Sequence, residues 1–338
     1  MYKHGKIYQE KKDAIVKSAN FTIAPIASTL KGRLVIMKII VGTRGSKLAL
    51  AQANCVIRQL ESHHPEIQFE IKVIKTTGDL IQNVSLDKIG DKGLFVKEIE
   101  QKLIEKKIDI AIHSMKDMPS TLPPQLKFAA IPKREDARDV LILREGYQQL
   151  DELPQGAIIG TGSKRRKYQI LDIRPDLSIV PIRGNIETRI QKIETENLDG
   201  IILAAAGLIR ADLEHKISTY LSISDMLPAP AQGVLGIEIR KQDGFLENII
   251  QSVEDETTTI QTIAERSFLE GINGSCHIPI GGYCHQIEEN KILLTGLYGD
   301  GSGNVLIKKS ITGDVSEARE IGFKLAKKIL KEYEQHAR

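Results

Sequence analysis

Ile39-Ile40-Val41-Gly42-Thr43-Arg44-Gly45-Ser46-Lys47 is a short β-branched run, a glycine-bearing turn and the entry to a helical pattern from about Leu48 to Leu60. The same unit returns at Ala157-Ile158-Ile159-Gly160-Thr161-Gly162-Ser163-Lys164-Arg165-Arg166, with a helix predicted to about Ile173. Each copy puts a serine, Ser46 or Ser163, where a helix N-cap would sit and accept an otherwise orphan amide. The echo continues downstream. Phe69 to Ile74 and Leu177 to Ile182 read as second strands, followed by turns at Gly78 and Gly184. Asp109 to His113 and Gly200 to Ala205 read as third strands, preceded by amphipathic helices at Phe95 to Lys106 and Ile186 to Thr195. Two βαβαβ lobes on mostly parallel sheets are therefore expected. Such lobes bind ligands at the carboxyl ends of their strands, here across a shared cleft.

A third region begins near Thr257. A helix is predicted from Thr258 to Leu269, then strands at Ile278 to Tyr283, Ile292 to Leu297 and Val305 to Ile311, then a helix from Ser316 to Tyr333. This reads as a small antiparallel sheet with helices packed against it. Gln232 to Ile239 reads as a strand able to return to the first lobe. The expected division is 37–134 with about 233–252, then 135–232, then 253–338. Residues 1–36 are Lys-rich without an apolar core. They are expected to be a disordered tail or a misassigned start, because Glu10 and Asp13 fit poorly with an acid-poor transit peptide.

The 338 residues are 41% hydrophobic and 27% charged, ordinary for a globular chain with real cores. No stretch approaches the ~20 apolar residues of a membrane span, and a net charge of +3 is too small to indicate a generic polyanion binder, so any electrostatic role falls to local clusters. With three cysteines lacking disulfide spacing and no secretory signal visible, a reducing cytoplasm is the simplest expected context. With 4% aromatic residues, no tryptophan and no recognisable motif, nucleic acid is a weak candidate partner.

The two Gly/Ser turns sit at helix N-termini, where free amides and the helix dipole attract anions. Arg44 lies in the first and Lys164, Arg165 and Arg166 in the second, while Arg183, Gly184, Arg189 and Arg210 follow later strands. Arginines converging on one edge predict a polyanionic ligand, since guanidinium groups pair bidentately with carboxylates and phosphates. A solvated charge run is the plainer account of Lys164 to Lys167 alone. Asp117, in His113-Ser114-Met115-Lys116-Asp117-Met118-Pro119, would face the cleft and could stabilise a cation or move protons, although a turn former explains it too. Cys276 lies among small residues in Gly274 to Gly282, as suits an accessible nucleophile, with a buried inert thiol as the alternative. Cys276-His277 and Cys284-His285 leave a zinc site as a minor reading. The phosphate-loop pattern is incomplete around Gly160 to Lys164.

Taken together these blocks resemble the porphobilinogen deaminase (hydroxymethylbilane synthase) family. Gly42 to Leu50, Lys88 to Glu98, His113 to Pro119, Arg134 to Asp136, Gly160 to Arg166, Arg183 to Asn185, Ile202 to Leu208 and Gly274 to Gly281 match in order from about Met37 to the C-terminus. The resemblance implies three α/β domains, two of them βαβ lobes like those of periplasmic binding proteins, and a small α+β C-terminal domain with a three-stranded antiparallel sheet. It implies a transferase of haem biosynthesis that condenses four porphobilinogen molecules, losing ammonia each time, and releases the linear tetrapyrrole by hydrolysis. A dipyrromethane cofactor would be held by a thioether to Cys276.

By position, Ser46, Lys88, Ser163, Arg165, Arg166, Arg183 and Gly184 would hold the cofactor, and Arg44, Arg189 and Arg210 the substrate. Lys92 and Phe95 would belong to a loop over the cleft. Asp117 would face the pyrrole nitrogens and stabilise the cation left after deamination. No metal is implied, and a soluble, cytoplasmic monomer is expected. Departures from the family pattern are Gly162 and Lys164 in place of Ser and Leu, Asp91 and Ser275 in place of Gly, and Pro230-Ala231 ahead of Gln232-Gly233. A non-catalytic two-lobed binder of a small polyanion is the rival reading, but it gives no role to a thiol in a third domain.

Overall fold

The computed structural model describes residues 37–76, 96–119, 121–273 and 278–336; Lys88, Lys92, Phe95 and Cys276 lie outside the described residues. The elements run β1 (Met37–Thr43), α1 (Lys47–His63), β2 (Ile67–Val73), α2 (Lys97–Ile104), β3 (Ile110–Ser114), β4 (Leu126–Ala130), β5 (Asp139–Leu143), β6 (Ile158–Gly160), α3 (Lys164–Ile173), β7 (Ser178–Val180) and α4 (Ile186–Thr195). They continue with β8 (Gly200–Ala204), α5 (Ala205–Arg210), β9 (Thr219–Tyr220), β10 (Leu235–Arg240), α6 (Gly244–Ile250), α7 (Glu256–Gly271), β11 (Ile280–Glu288), β12 (Lys291–Gly299), β13 (Leu306–Asp314) and α8 (Ala318–His336).

Two five-stranded sheets share one plan. The first has the order β2-β1-β3-β10-β4 and the second β7-β6-β8-β5-β9. In each, the first three strands are parallel and the fourth runs antiparallel to its neighbours. In the first sheet that strand is β10, which returns from the second lobe as expected for the run Gln232 to Ile239. In the second it is β5, which follows directly on the first lobe. β4, β5 and β9 were absent from the sequence reading. The third sheet, β11-β12-β13, is antiparallel throughout.

Burial follows the sequence pattern. β3, β5, β8 and β10 are covered on both faces and read as near-continuous apolar runs. In α1 the buried residues Ala53, Val56, Ile57 and Leu60 recur at helical spacing and pack on Ile39, Val41 and Ile237. In the C-terminal unit α7 and α8 pack on the sheet through Ala264, Phe268, Leu325 and Ile329.

Two chain crossings join the lobes side by side. Gly233 adopts a φ of +85°, and a Cβ there would lie 2.5 Å from the Glu135 carbonyl oxygen, so only glycine fits. Its own carbonyl accepts from the Glu135 amide at 3.1 Å. The fully buried carboxylate of Glu265, on α7, fastens both crossings. It accepts from Arg134 Nη1 at 2.6 Å and Nη2 at 3.2 Å, from the Ala231 amide at 2.6 Å, and from the Cys284 amide at 2.8 Å. Removing that charge leaves the Arg134 guanidinium buried without its counter-ion. Glu265→Gln should therefore lower unfolding free energy by about 3 kcal/mol or more. Urea unfolding should show a lower midpoint with an unchanged slope.

Candidate functional site

The carboxyl ends of the parallel strands converge as expected. β1 leads through Arg44 and Gly45 to Ser46, whose hydroxyl accepts from the Ala49 amide at 3.2 Å and caps α1. β6 leads to Ser163, which caps α3 by accepting from the Arg166 amide at 3.4 Å. After β7, Arg183 and Gly184 precede Asn185, which caps α4 through the Thr188 amide at 2.8 Å. Gly184 has a φ of +113°, and a Cβ there would meet Thr188. Across the cleft mouth, Lys47 Nζ lies 2.8 Å from Glu187 Oε1. That pair is exposed and adds little stability.

Asp117 closes a 3-10 turn, Met115–Asp117, at the end of β3. In such a turn side chains three apart eclipse, and Met115 and Met118 are both buried against Val96, Ile131, Ala231 and Val234. Between the two buried methionines, Lys116 is half-buried and Asp117 is exposed. Burial depresses the Lys116 ammonium, the neighbouring Asp117 carboxylate opposes this, and Arg166 and Arg165 add to it. Arg189 is likewise depressed, first by burial and then by Arg166 and Arg183, with Asp117 opposing. Lys116 and Asp117 of the first lobe therefore lie within electrostatic reach of the second lobe's arginines. Lys116 was quoted in a motif but given no role; its position beside Asp117 was the signal.

Arg165 and Arg166 take up different positions from the other arginines. They are 5% and 7% exposed and share the fully buried carboxylate of Asp139. Arg165 Nη1 donates to Asp139 Oδ2 at 2.6 Å and to the Leu227 carbonyl at 2.7 Å. Arg166 donates Nε and Nη2 to Asp139 Oδ1 at 3.1 and 2.8 Å, and Nη1 to the Ile202 carbonyl at 3.1 Å. Gln232 Nε2, from the crossing, reaches the same Oδ1 at 2.9 Å. Burial works against charge on Asp139, but the two guanidinium groups outweigh it and hold the carboxyl well below the usual range. Arg210 donates Nη2 to the Gly233 carbonyl at 2.7 Å and so grips the crossing; its Nε is buried with no partner among the described residues. Lys164 points to the C-terminal unit, donating to the Gly301 carbonyl at 3.2 Å, and adds no charge at the arginine cluster. Cys284 is fully buried in β11, and burial pushes its thiol up, as suits an inert core cysteine.

Beneath the Asp117 turn, His113 Nε2 lies 3.0 Å from Glu238 Oε2, both buried. Glu100 on α2 is buried beside them, and one oxygen each of Glu100 and Glu238 has no hydrogen-bond partner among the described residues. Among the described residues, no group of three or more His, Cys, Asp or Glu could hold a metal ion.

The chain matches two family descriptions in order. "Porphobilinogen deaminase, dipyromethane cofactor binding domain" spans residues 39–248, and "Porphobilinogen deaminase, C-terminal domain" spans 259–331. The chain belongs to the porphobilinogen deaminase family. Proteins named porphobilinogen deaminase from Clostridioides difficile and Clostridium novyi are 65% and 56% identical to it. Those matches cover 89% and 88% of this chain and 99% of each relative. Among solved structures, the methionine binding protein MetQ overlaps 64% of this chain and 88% of its own at 11% identity. Its TM-score of 0.40 is too low to carry an argument, and the strand orders above describe the fold. The residues matched to the dipyromethane cofactor binding domain, 39–248, comprise both five-stranded sheets.

Burial, reinforced by Glu238 and opposed by His113 and Lys97, pushes the Glu100 carboxyl from 4.5 to about 7. Between those values the folded state holds more protons than the unfolded chain, so stability falls as pH rises through the window. Glu100→Gln should therefore stabilise the protein above pH 7, by up to about 3 kcal/mol, with no gain below about pH 4.5. Thermal unfolding of both proteins at pH 4.5 and pH 8 checks the sign.

Proposed function

We propose that the chain condenses four porphobilinogen molecules, with loss of ammonia, into hydroxymethylbilane, working as a cytoplasmic monomer on a dipyrromethane group held by Cys276 through a thioether. The observation that carries this reading is one exposed carboxylate, Asp117, set within reach of Lys116 and Arg189 and of the arginines around them. Each pyrrole brings an acetate and a propionate, so the growing chain accumulates carboxylates that need fixed cations. A dipyrromethane group fits this donor set. Burial, with Arg166 and Arg183 nearby, disfavours the protonated form of Arg189, a penalty that a bound polyanion would relieve. When bound, that group would supply the pyrrole carbon to which the first unit is joined.

The roles assigned to the chain's own residues follow from position. Arg44, Arg183 and Arg189, with Ser46 and Ser163 at their helix N-termini, would bind carboxylates at the cleft surface. Arg165 and Arg166 would contribute positive potential from beneath it, their geometry set by Asp139. Arg210 would act at the crossing of the lobes. The Asp117 carboxylate would oppose the positive charge that develops as ammonia leaves the substrate, and accept a pyrrole N–H proton. Lys88, Lys92 and Phe95 remain assigned by family position alone. The division into 37–134 with 233–252, 135–232 and 253–338 belongs to the same reading, and the place of β10 in the first sheet supports it.

Intact mass tests the anchor. Wild type should carry a two-pyrrole excess that Cys276→Ser lacks. An unmodified wild type, still unmodified after incubation with porphobilinogen, would favour the polyanion-binding alternative. Asp117→Asn should keep the adduct but lose turnover by about 10² or more. Substantial residual turnover in that variant removes Asp117 from the role.

A further inference from the structure

Arg266 lies on α7, next to Glu265 and ten residues before Cys276. Its Nη1 donates to the Met115 carbonyl at 3.1 Å and its Nη2 to the Pro119 carbonyl at 2.5 Å. These oxygens flank the turn that presents Lys116 and Asp117. The turn is held on its other side by the Met115 amide, which donates to the Val234 carbonyl at 3.0 Å. The Phe128 ring lies 6.0 Å from the Arg266 guanidinium carbon. Burial depresses the guanidinium, and Glu270 offsets this only electrostatically, its own carboxylate lying 3.2 Å from Arg319. A partly buried cation spent on two neutral carbonyls is an expensive arrangement for stability alone, since an apolar side chain would avoid the desolvation.

We infer that Arg266 is a positioning residue, which fixes the Met115–Pro119 segment to helix α7 of the C-terminal unit and so sets where the Asp117 carboxylate stands in the cleft. The planar fork of the guanidinium suits this, because it spans two carbonyls at once where an ammonium would hold one. Helix α7 then carries two connections, Glu265 to the crossings and Arg266 to the Asp117 turn, and in sequence it precedes Cys276. The inference rests on the assignment of Asp117, and the experiment separates the two.

Arg266→Met and Arg266→Lys are prepared as full-length, cofactor-loaded protein, and loading is checked by intact mass. Both should carry the same adduct as wild type. Arg266→Met should lose about 10²-fold in kcat with KM within about threefold, as expected when a reacting group is displaced by around an ångström. Arg266→Lys should recover part of the loss. In an Asp117→Asn background the Met substitution should cost no more than about threefold, because the carboxylate it positions is gone. Amide hydrogen exchange should speed up at Met118, which bonds back to Met115 at 3.3 Å, in both Arg266 variants. A kcat within threefold of wild type in Arg266→Met, or a full multiplicative loss in the Asp117→Asn background, would overturn the inference. If Arg266→Met does not fold, Arg266→Lys decides it: unchanged kcat and unchanged Met118 exchange would count against the clamp. High activity in Asp117→Asn alone would instead remove the assignment of Asp117 and leave the exchange result to judge the clamp.

Discussion

The carboxylate of Glu265 is the point through which the three units of the molecule hold together. It lies fully buried and accepts from Arg134 on one crossing, Ala231 on the other and Cys284 in the C-terminal sheet. A buried ion pair of this kind contributes little net stability against an apolar replacement, yet it is costly to break from one side. Its value is geometric. The two segments that must bend if the lobes move are tied to a helix outside both lobes, and Ala231 is kept at a φ of +59°, where alanine is disfavoured.

Asp139 plays the corresponding part inside the second lobe. By absorbing Arg165 and Arg166 it neutralises part of the positive charge at the base of the cleft while leaving Arg183 exposed and Arg189 half-buried at the surface. The cationic edge is therefore layered. One pair of arginines is fixed by a structural carboxylate, whereas Arg189 donates to the Gly184 carbonyl at 2.8 Å and lies within electrostatic reach of Arg166, Arg183 and Asp117. Gln232 bridges the layers by reaching from the crossing to Asp139, so ligand charge felt by the arginines bears on the same network that joins the lobes.

Much of this was legible in the sequence wherever the signal was local. The serine caps at Ser46 and Ser163 announce their helices through backbone chemistry within four residues, and α4 was predicted at the bounds found, Ile186–Thr195. The family blocks placed Asp117 at a strand end because β3 is a continuous apolar run. Strands β4, β5 and β9 were missed because short runs such as Thr219–Tyr220 are defined by partners far away in the chain. The buried charges were missed for a related reason. Asp139, Glu265 and Arg266 look in sequence like any surface charge, and only Glu265, set between the buried Ala264 and Phe268 on α7, interrupts an apolar stripe in a readable way.

The exchange of fourth strands has a consequence for how the chain is made. On the ribosome, the first sheet has β2, β1 and β3 early, but the strand that belongs between β3 and β4 is Leu235–Arg240, synthesised only after the whole second lobe. Until then β3 presents an unpaired edge of fully buried character, the kind of surface that aggregates or recruits chaperones. The second lobe has no such delay, since β5 emerges before the strands it joins. Vectorial synthesis thus favours completion of the second lobe before the first, the reverse of their order in the gene.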